Sequence, residues 1–326
     1  MRSISLDASR HDEGFEPLAA WAGRIFLFPL HALTAAPSLL FLAALTAMLL
    51  RHPDVAFYEI DRIAFGLLVV GVVARAVVLR QRLFVFERAT WPMLGLTLLA
   101  LASVAGQPFD NETWCLLAAK FIVPFTLFHL AGLVFNNEGR LRQFEVFAVV
   151  VLAYLSFTAI AFLVGAQSLI FPRFILDESL GFHADRARGP LLQAVANGVS
   201  LNLLGVLALH AYRRRSMRGI KVALVLASVP VAILATMTRT VWLSFAVTVI
   251  VLIFQSKSRR LRLACLGSVI AAGLVMVVVL SSNDMGGTFS DRLEERGPVD
   301  YRQAVYAGGW EMLDRKSTRV NSSHRH

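Results

Sequence analysis

The sequence predicts an all-α polytopic membrane protein with about nine transmembrane spans, and its composition and charge pattern are the reasons. The chain of 326 residues is 56% hydrophobic, with a mean hydropathy of +0.62. Only 17% of its residues are charged, whereas a soluble domain carries about 25%. Several runs contain no Asp, Glu, Lys or Arg and are as long as the about 20 helical residues that cross the hydrocarbon core: 25–50, 146–171, 191–212 and 263–283. These runs lack the apolar/polar alternation of a membrane β-barrel, which favours helices.

The predicted spans follow one another with short polar connections. Pro29 falls in the first turn of the first span, where a missing N–H costs least. Arg75 interrupts the second span, and we interpret it as snorkelling toward the headgroups beside Arg80. The nine predicted spans are 25–50, 60–79, 89–106, 114–135, 144–164, 191–212, 221–237, 240–255 and 263–280.

The distribution of basic residues predicts how the spans are oriented. Lys and Arg concentrate in residues 1–24 and in four loops, and they are sparse in the loops between those; the basic loops are 80–88, 139–142, 213–221 and 257–262. Because basic loops stay in the cytoplasm, the N-terminus is predicted inside and residues 165–190 outside. The net charge of +10 is therefore explained by topology, and we exclude nucleic acid as a partner.

Domain boundaries follow from this topology. We expect a cytoplasmic tail at 1–24, a transmembrane domain at 25–280, the start of a large periplasmic loop at 281–313, and a non-native tail at 314–326. Cys115 and Cys265 both lie in apolar segments, so we predict neither a disulfide nor a metal site.

The external polar loop 165–190 holds the residues of greatest interest. Arg186 and Arg188 precede a new apolar segment, and Arg239 stands between two closely spaced spans. All three are predicted on the side where basic residues are disfavoured, so each needs an anionic partner. That partner is either an acidic residue of the loop or a lipid headgroup, or it is a lipid-linked phosphate, which guanidinium groups bind as a planar fork.

At these residues the chain resembles the O-antigen ligase and O-antigen polymerase superfamily of bacterial envelope glycosyltransferases. Three segments carry the resemblance: Arg186-Ala-Arg-Gly-Pro-Leu-Leu with Asn197-Gly198, Thr238-Arg239-Thr240-Val241-Trp242-Leu243, and RGPVDYRQAVYAGGW from Arg296 to Trp310. The first is similar to the family's start of a span, the second to its next outward helix start, and the third to the start of its large periplasmic loop. Their order and predicted membrane side agree with the family.

The resemblance implies a multi-pass glycosyltransferase of the bacterial inner membrane, with its active face in the periplasm. It would transfer a glycan from undecaprenyl-diphosphate to an acceptor, which is lipid A-core for a ligase and another glycan for a polymerase. Arg188 and Arg239 would neutralise the leaving diphosphate as catalytic residues, without a metal or other cofactor. The candidate substrate-binding residues are Arg186, Asn197, Arg296, Arg302 and His183, the last also being a candidate base.

Several alternatives remain open at this point. Within the enzyme class, a repeat polymerase and a protein O-glycosyltransferase fit as well as a ligase. A transporter of lipid-linked glycans and an assembly protein without chemistry are the rival classes. The residues from Asp314 onward resemble an in-frame translation of a sequencing adapter. We therefore expect a chain truncated near Leu313 that is inactive, with the family's histidine base beyond that point.

Overall fold

The computed structural model describes residues 36–52, 60–80, 82–83, 87–214, 216–217, 219–281 and 303–312. These residues form helices joined by turns, and none of them lies in a β-strand. The predicted tails 1–24 and 314–326 lie outside the described residues, as does most of the predicted loop 281–313, of which 303–312 is helical. In chain order the helices are α1 (Pro37–Leu49), α2 (Ile60–Val78), α3 (Thr90–Ala105), α4 (Asn111–Leu117), α5 (Val123–Val134), α6 (Glu138–Leu163), α7 (Ala194–Arg213), α8 (Ile220–Ala235), α9 (Arg239–Gln255) and α10 (Arg259–Ser281).

The all-helical class is confirmed for the described residues, and three helical segments are long and apolar enough to cross a membrane. They are Asn111–Val134, Glu138–Leu163 and Ala194–Arg213. Helices α1, α3, α8 and α9 are apolar but shorter. Each predicted span overlaps a helix in its described part, while residues 25–35 of the first span lie outside the described residues. The count of nine spans stays a prediction. Large apolar side chains face outward on many helices, for example Leu99, Leu203 and Phe254 at 71%, 66% and 84% exposure, as expected beside lipid.

Helix ends differ from the predicted spans where local geometry overrides hydropathy. Helix α6 begins at Glu138 rather than 144, because the Asn137 side chain accepts a hydrogen bond from the Arg140 N–H at 2.9 Å and caps it. Helix α7 begins at Ala194 rather than 191, because Leu192 adopts a left-handed conformation with φ of 53°. The side chain of Asn137 and the backbone conformation of Leu192 set these two helix ends, and a hydropathy profile detects neither feature.

A π turn at Ala118–Ile122 joins α4 to α5 into one long helix. Pro124 has no N–H, so the carbonyl four residues earlier loses its normal α-helical donor. That carbonyl belongs to Lys120, which lies in the π turn and is exposed. We attribute the local widening of the helix to this proline.

The larger core lies between α6, α7 and α8. Helix α6 packs on both of the others, α9 packs on α7, and α10 packs on α8 and α9. The buried residues are mainly alanine, valine and leucine, among them Leu152, Leu155, Leu201 and Ala232, each 0% exposed. Small side chains allow helices to approach closely, which is how helices pack in membranes.

A smaller core joins α1, α2 and α5. Phe41 of α1, Leu68 and Val72 of α2, and Val134 of α5 are buried together. Phe41 and Phe135 make an edge-to-face contact with ring centroids 5.2 Å apart. This core connects to the larger one through contacts of α1 with α6.

The helices run between two ends of the bundle. Helix α1 ends near Arg51, whose Nη1 lies 3.2 Å from Asp61 Oδ2 at the start of α2. The adjacent His52 ring packs on Phe174, with centroids 5.0 Å apart. Phe174 belongs to residues 164–193, which connect α6 to α7 and which we call the capping loop. The end of the bundle that carries this loop is called the loop end below.

Candidate functional site

The capping loop is a folded unit rather than an open polar connection. Ile170, Phe174, Ile175 and Leu180 are buried against Ala161 of α6 and form a separate small core. Three 3₁₀ turns shape the backbone, at Gln167–Leu169, Arg173–Leu176 and Gly189–Leu191. The hydroxyl of Tyr154 in α6 donates to the Phe171 carbonyl at 2.8 Å and ties the loop to the bundle.

Arg188 lies in the interior of this loop and is 1% exposed. Its Nε donates to the Ile175 carbonyl at 2.9 Å, and its Nη1 and Nη2 donate to the carbonyls of Leu180 and Asp177. Burial lowers the pKa of the Arg188 guanidinium, and the charges of Asp177 and Glu178 oppose that shift. A guanidinium remains protonated nevertheless, so Arg188 is a buried cation that donates to three backbone carbonyls.

The structure therefore does not present Arg188 for the direct diphosphate contact that the sequence predicts. All three of its donor groups point to carbonyls of its own loop. A catalytic contact would require those bonds to open, so the catalytic assignment of Arg188 stays a prediction that this conformation does not favour. What the geometry gives Arg188 directly is the role of holding residues 175–180 in place.

Asn197, predicted to bind substrate, lies beside the same segment and is 0% exposed. Its Nδ2 donates to the Ala187 carbonyl at 2.8 Å, while Oδ1 receives no hydrogen bond within the described part of the chain. A Cβ on Gly189 would lie 2.7 Å from that Oδ1, and Gly189 has a φ of 57°, so only glycine fits there. Asn197 thus fixes the start of α7 to the loop from a position without surface access.

The first two segments of the family resemblance meet in space. The Ala187 N–H donates to the Ala235 carbonyl at the end of α8, at 3.2 Å. A Cβ on Gly198 would lie 2.4 Å from Val241 Cγ1, so α7 and α9 approach as closely as glycine allows. Residues 186–198 and 238–243 are therefore parts of one packed junction at the loop end.

A tight turn between α8 and α9 completes the junction. Thr236 is fully buried, and the Thr238 hydroxyl donates to the Thr236 carbonyl at 2.8 Å. Trp242 Nε1 donates to the Ile233 carbonyl at 3.1 Å, and Met237 has a positive φ of 47°. The turn is thus held from both sides, which gives Arg239 a defined position as the first residue of α9.

The remaining predicted site residues differ in accessibility. Arg239 and His183 are exposed, and His183 has a positive φ of 57°. The Arg186 side chain is 12% exposed, and its Nε lies 3.8 Å from Asp185 Oδ2, which fits the acidic partner of the loop considered from sequence. Arg296 and Arg302 lie outside the described residues.

The loop end also contains residues that the sequence did not single out. His52 and Tyr154 contact the capping loop, and Asp61 pairs with Arg51, which precedes His52 in the chain. Their separation from the loop in sequence leaves no motif to find them. The loops between the basic ones, which include 51–62 and 236–240 as well as 165–190, are all predicted outside, and the contact of His52 with Phe174 agrees with this prediction. No cluster of three or more His, Cys, Asp or Glu side chains that could hold a metal ion occurs within the described ranges.

Comparison with known proteins yields no relative: no family model, no curated protein and no solved structure matches this chain.

Proposed function

We propose that the chain is a membrane glycosyltransferase of the O-antigen ligase type. It would transfer a glycan from undecaprenyl-diphosphate to an acceptor hydroxyl, with lipid A-core as the acceptor of a ligase. The observation that carries the proposal is the junction between residues 186–198 and 238–243, made by the close approach of Gly198 to Val241. The hydrogen bond from Ala187 to Ala235, at the end of α8 just before the second segment, adds to it. It supports a shared role for the two segments on which the family resemblance rests.

Arg239 is the residue best placed to contact the diphosphate. It is exposed, and it is the first residue of α9, where the helix dipole also favours an anion. Its guanidinium supplies a permanent charge that can neutralise a leaving diphosphate without a metal. Arg188 then acts as a positioning residue, because it holds the capping loop that packs against the same junction.

The proposed reaction needs three functions from the protein. The acceptor hydroxyl must lose its proton, the bond from the sugar to the diphosphate must break, and the departing diphosphate must be stabilised. Arg239 serves the last function, and Arg186, whose Nε lies 3.8 Å from Asp185 Oδ2, is a second cation at the same end of the bundle. His183, exposed on the same loop, is the candidate base among the described residues.

The binding step can be tested on the purified chain in lipid nanodiscs. Binding of undecaprenyl diphosphate would be measured by native mass spectrometry for the wild type and for Arg239→Ala. Losing one charge-assisted contact should weaken binding roughly tenfold to a hundredfold. The matched control is Arg259→Ala, since Arg259 is also an exposed first residue of a helix, α10, and carries the same charge.

Unchanged binding in Arg239→Ala, or equal loss in Arg259→Ala, would remove the support for this site. We expect the 326-residue chain to bind the donor without transferring the glycan, so detectable transfer would overturn the expectation of inactivity, and the molecule that receives the label would identify the acceptor. In a ligase the label moves from undecaprenyl-diphosphate to lipid A-core, in a repeat polymerase it moves to longer lipid-linked glycans, and in a protein O-glycosyltransferase it moves to protein.

One observation favours the transporter alternative. Glu145 is 4% exposed within α6, a helix apolar enough to span a membrane, and ionisable groups inside spans commonly mark transport pathways. Liposomes that contain the chain and a fluorescent lipid-linked diphosphate distinguish the two classes. Movement of the label between leaflets that stops in Glu145→Gln would favour transport over transfer.

A further inference from the structure

The end of the bundle opposite the capping loop contains a small cavity lined by two arginines. Helix α1 begins there with Pro37, α2 reaches it with Arg75, and α5 ends there with Leu133 and Val134. Arg82, just after α2, completes the lining, and the volume is about 20 Å³. We call this cavity the notch. Both charged residues that line it are arginines.

The floor of the notch is apolar and well packed. Val72, Ala76 and Val134 line it and are 5%, 6% and 1% exposed. The loop that carries Arg82 is attached to the bundle, because the ring of His129 in α5 makes a 2.7 Å hydrogen bond with the Leu83 carbonyl. The arginines therefore stand at the rim of a preformed depression.

A third arginine adds to the positive charge beside the notch. Arg140 Nη1 donates to the carbonyl of Val134, a lining residue, and to Asn136 Oδ1, both at 3.3 Å. The charges of Arg140 and Arg75 are close enough to repel one another. The three guanidinium groups carry permanent charges of the same sign, whereas the C-terminal ends of α2 and α5 supply only about half a negative charge each.

The helix surface next to the notch suits acyl chains. Val78 and Leu79, three and four residues after Arg75 at the end of α2, are 69% and 50% exposed. Residues three and four apart lie on the same side of a helix, so both lie beside Arg75. The notch lies at helix ends, where headgroups meet the hydrocarbon. An anion with a large apolar part contacts both the arginines and the apolar helix surface, whereas an inorganic anion contacts only the arginines.

We propose that the notch binds the phosphate of an anionic phospholipid, with the acyl chains lying along the exposed apolar end of α2. Basic depressions between membrane helices are suited to such headgroups. The site lies at the end of the bundle remote from Arg239, and it does not depend on the glycosyltransferase proposal. Its expected consequence is a lipid that remains bound through purification and steadies the contacts among α1, α2 and α5.

The test uses the delipidated chain in neutral detergent and native mass spectrometry. Phosphatidylglycerol and phosphatidylcholine with the same acyl chains would be titrated in parallel. Each surface arginine contributes roughly fivefold to binding of an anionic lipid. We therefore expect Arg75→Gln/Arg82→Gln to weaken phosphatidylglycerol binding roughly 25-fold and to leave phosphatidylcholine binding unchanged.

The matched control is Arg213→Gln/Arg214→Gln, which removes two arginines at the end of α7 without touching the notch. Equal binding of the two lipids by the wild type, no loss in the notch variant, or an equal loss in the control variant would each overturn the proposal. Inorganic phosphate is added as a competitor. Displacement of phosphatidylglycerol by phosphate at similar concentration would show a site for a small anion, and would overturn the lipid assignment.

Discussion

In the capping loop, Arg173 and Arg188 donate to carbonyls of the loop itself, whereas around the notch Arg75 and Arg82 line a cavity and Arg75 repels Arg140. The residue type is the same in both regions, and the surroundings decide what it does. A guanidinium whose donors all meet carbonyls stabilises a backbone conformation. A guanidinium at the rim of a cavity, next to others of the same charge, adds to a positive surface that attracts an anion.

Removing Arg188 should produce the largest change, because it tests whether the capping loop depends on that side chain. Arg188→Ala leaves the buried carbonyls of Ile175 and Leu180 without the guanidinium donor, whereas the Asp177 carbonyl still accepts from the Leu180 N–H at 3.2 Å. At roughly 1–3 kcal/mol per unsatisfied buried group, we expect a loss of about 2–5 kcal/mol in the free energy of unfolding of the loop. Hydrogen exchange of the amides at 175–188 would measure it.

Arg173→Ala is the matched control, since Arg173 also donates to two loop carbonyls, those of Gln167 and Ser168, both at 2.9 Å. Arg173 is exposed, so water can replace its bonds, and the cost should stay below about 1 kcal/mol. Equal protection in Arg188→Ala and wild type would contradict the structural role of Arg188. It would return that residue to the set of candidates for diphosphate contact.

The junction at the loop end should be the next most sensitive feature. Gly198→Ala places a methyl group 2.4 Å from Val241 Cγ1, and overpacking of this kind costs about 1–3 kcal/mol. Gly205→Ala on the same helix meets Val229 at 3.4 Å, an ordinary contact, and should be neutral or stabilising by up to about 1 kcal/mol. Thermal unfolding in detergent would compare the two. A lower transition temperature for Gly205→Ala than for Gly198→Ala would show that α7 and α9 do not pack as described.

Hydropathy predicted the positions of the helices well. A buried or lipid-facing helix is a long apolar run, and such a run is visible in the sequence without knowledge of what the helix packs against. It missed the fold of the capping loop, whose core residues Ile170, Phe174, Ile175 and Leu180 are separated by polar ones in an irregular order. Burial in such a loop depends on turns that have no fixed sequence period. The prediction therefore placed the whole segment on the surface.

Only part of the candidate site was predicted, because a sequence indicates the membrane side of a residue but not its burial. Sequence order and membrane side brought Arg186 and Arg239 to the same end, and the contact between Ala187 and Ala235 agrees with this. The burial of Arg188 could not be predicted, because membrane topology places a residue on a side but says nothing about whether its side chain turns inward. From the sequence, Arg75 is interpreted as snorkelling toward the headgroups and Arg82 as part of a basic cytoplasmic loop, and neither interpretation indicates a cavity.

Removing Arg140 should have a smaller effect than removing Arg188, although each donates to backbone. The bonds of Arg140 to Val134 and Asn136 are both 3.3 Å long, and the side chain is only partly buried. Its loss also relieves the repulsion from Arg75. We expect Arg140→Ala to change the free energy of unfolding by less than about 1 kcal/mol. A loss of unfolding free energy comparable to that of Arg188→Ala would mean that arginine stabilises the backbone equally at both ends of the bundle.

The smallest effect should come from changing the hydrogen bonds that the Asp177 carboxylate accepts within the capping loop. The Ser179 side chain and backbone N–H, at 2.7 and 2.9 Å from Asp177 Oδ1, lower the pKa of Asp177, and the charge of Arg188 contributes less. A carboxyl with a lowered folded-state pKa stabilises the fold above its usual pKa of about 4 and loses that contribution as pH falls through the folded value. Ser179→Ala should therefore raise the pKa of Asp177 toward its usual value and shift the loss to higher pH.

An NMR titration of carboxyl-labelled aspartate, with Asp177→Asn to assign the signal, would measure this shift. Ser168→Ala serves as the control, because Ser168 lies in the same loop and does not contribute to the lowered pKa of Asp177. An unchanged pKa in Ser179→Ala would leave the backbone N–H of residue 179, which this variant retains, as the main cause of the lowered pKa. The Ser179 hydroxyl would then contribute nothing to the charge state of Asp177, and the capping loop would stabilise this carboxylate through its backbone alone.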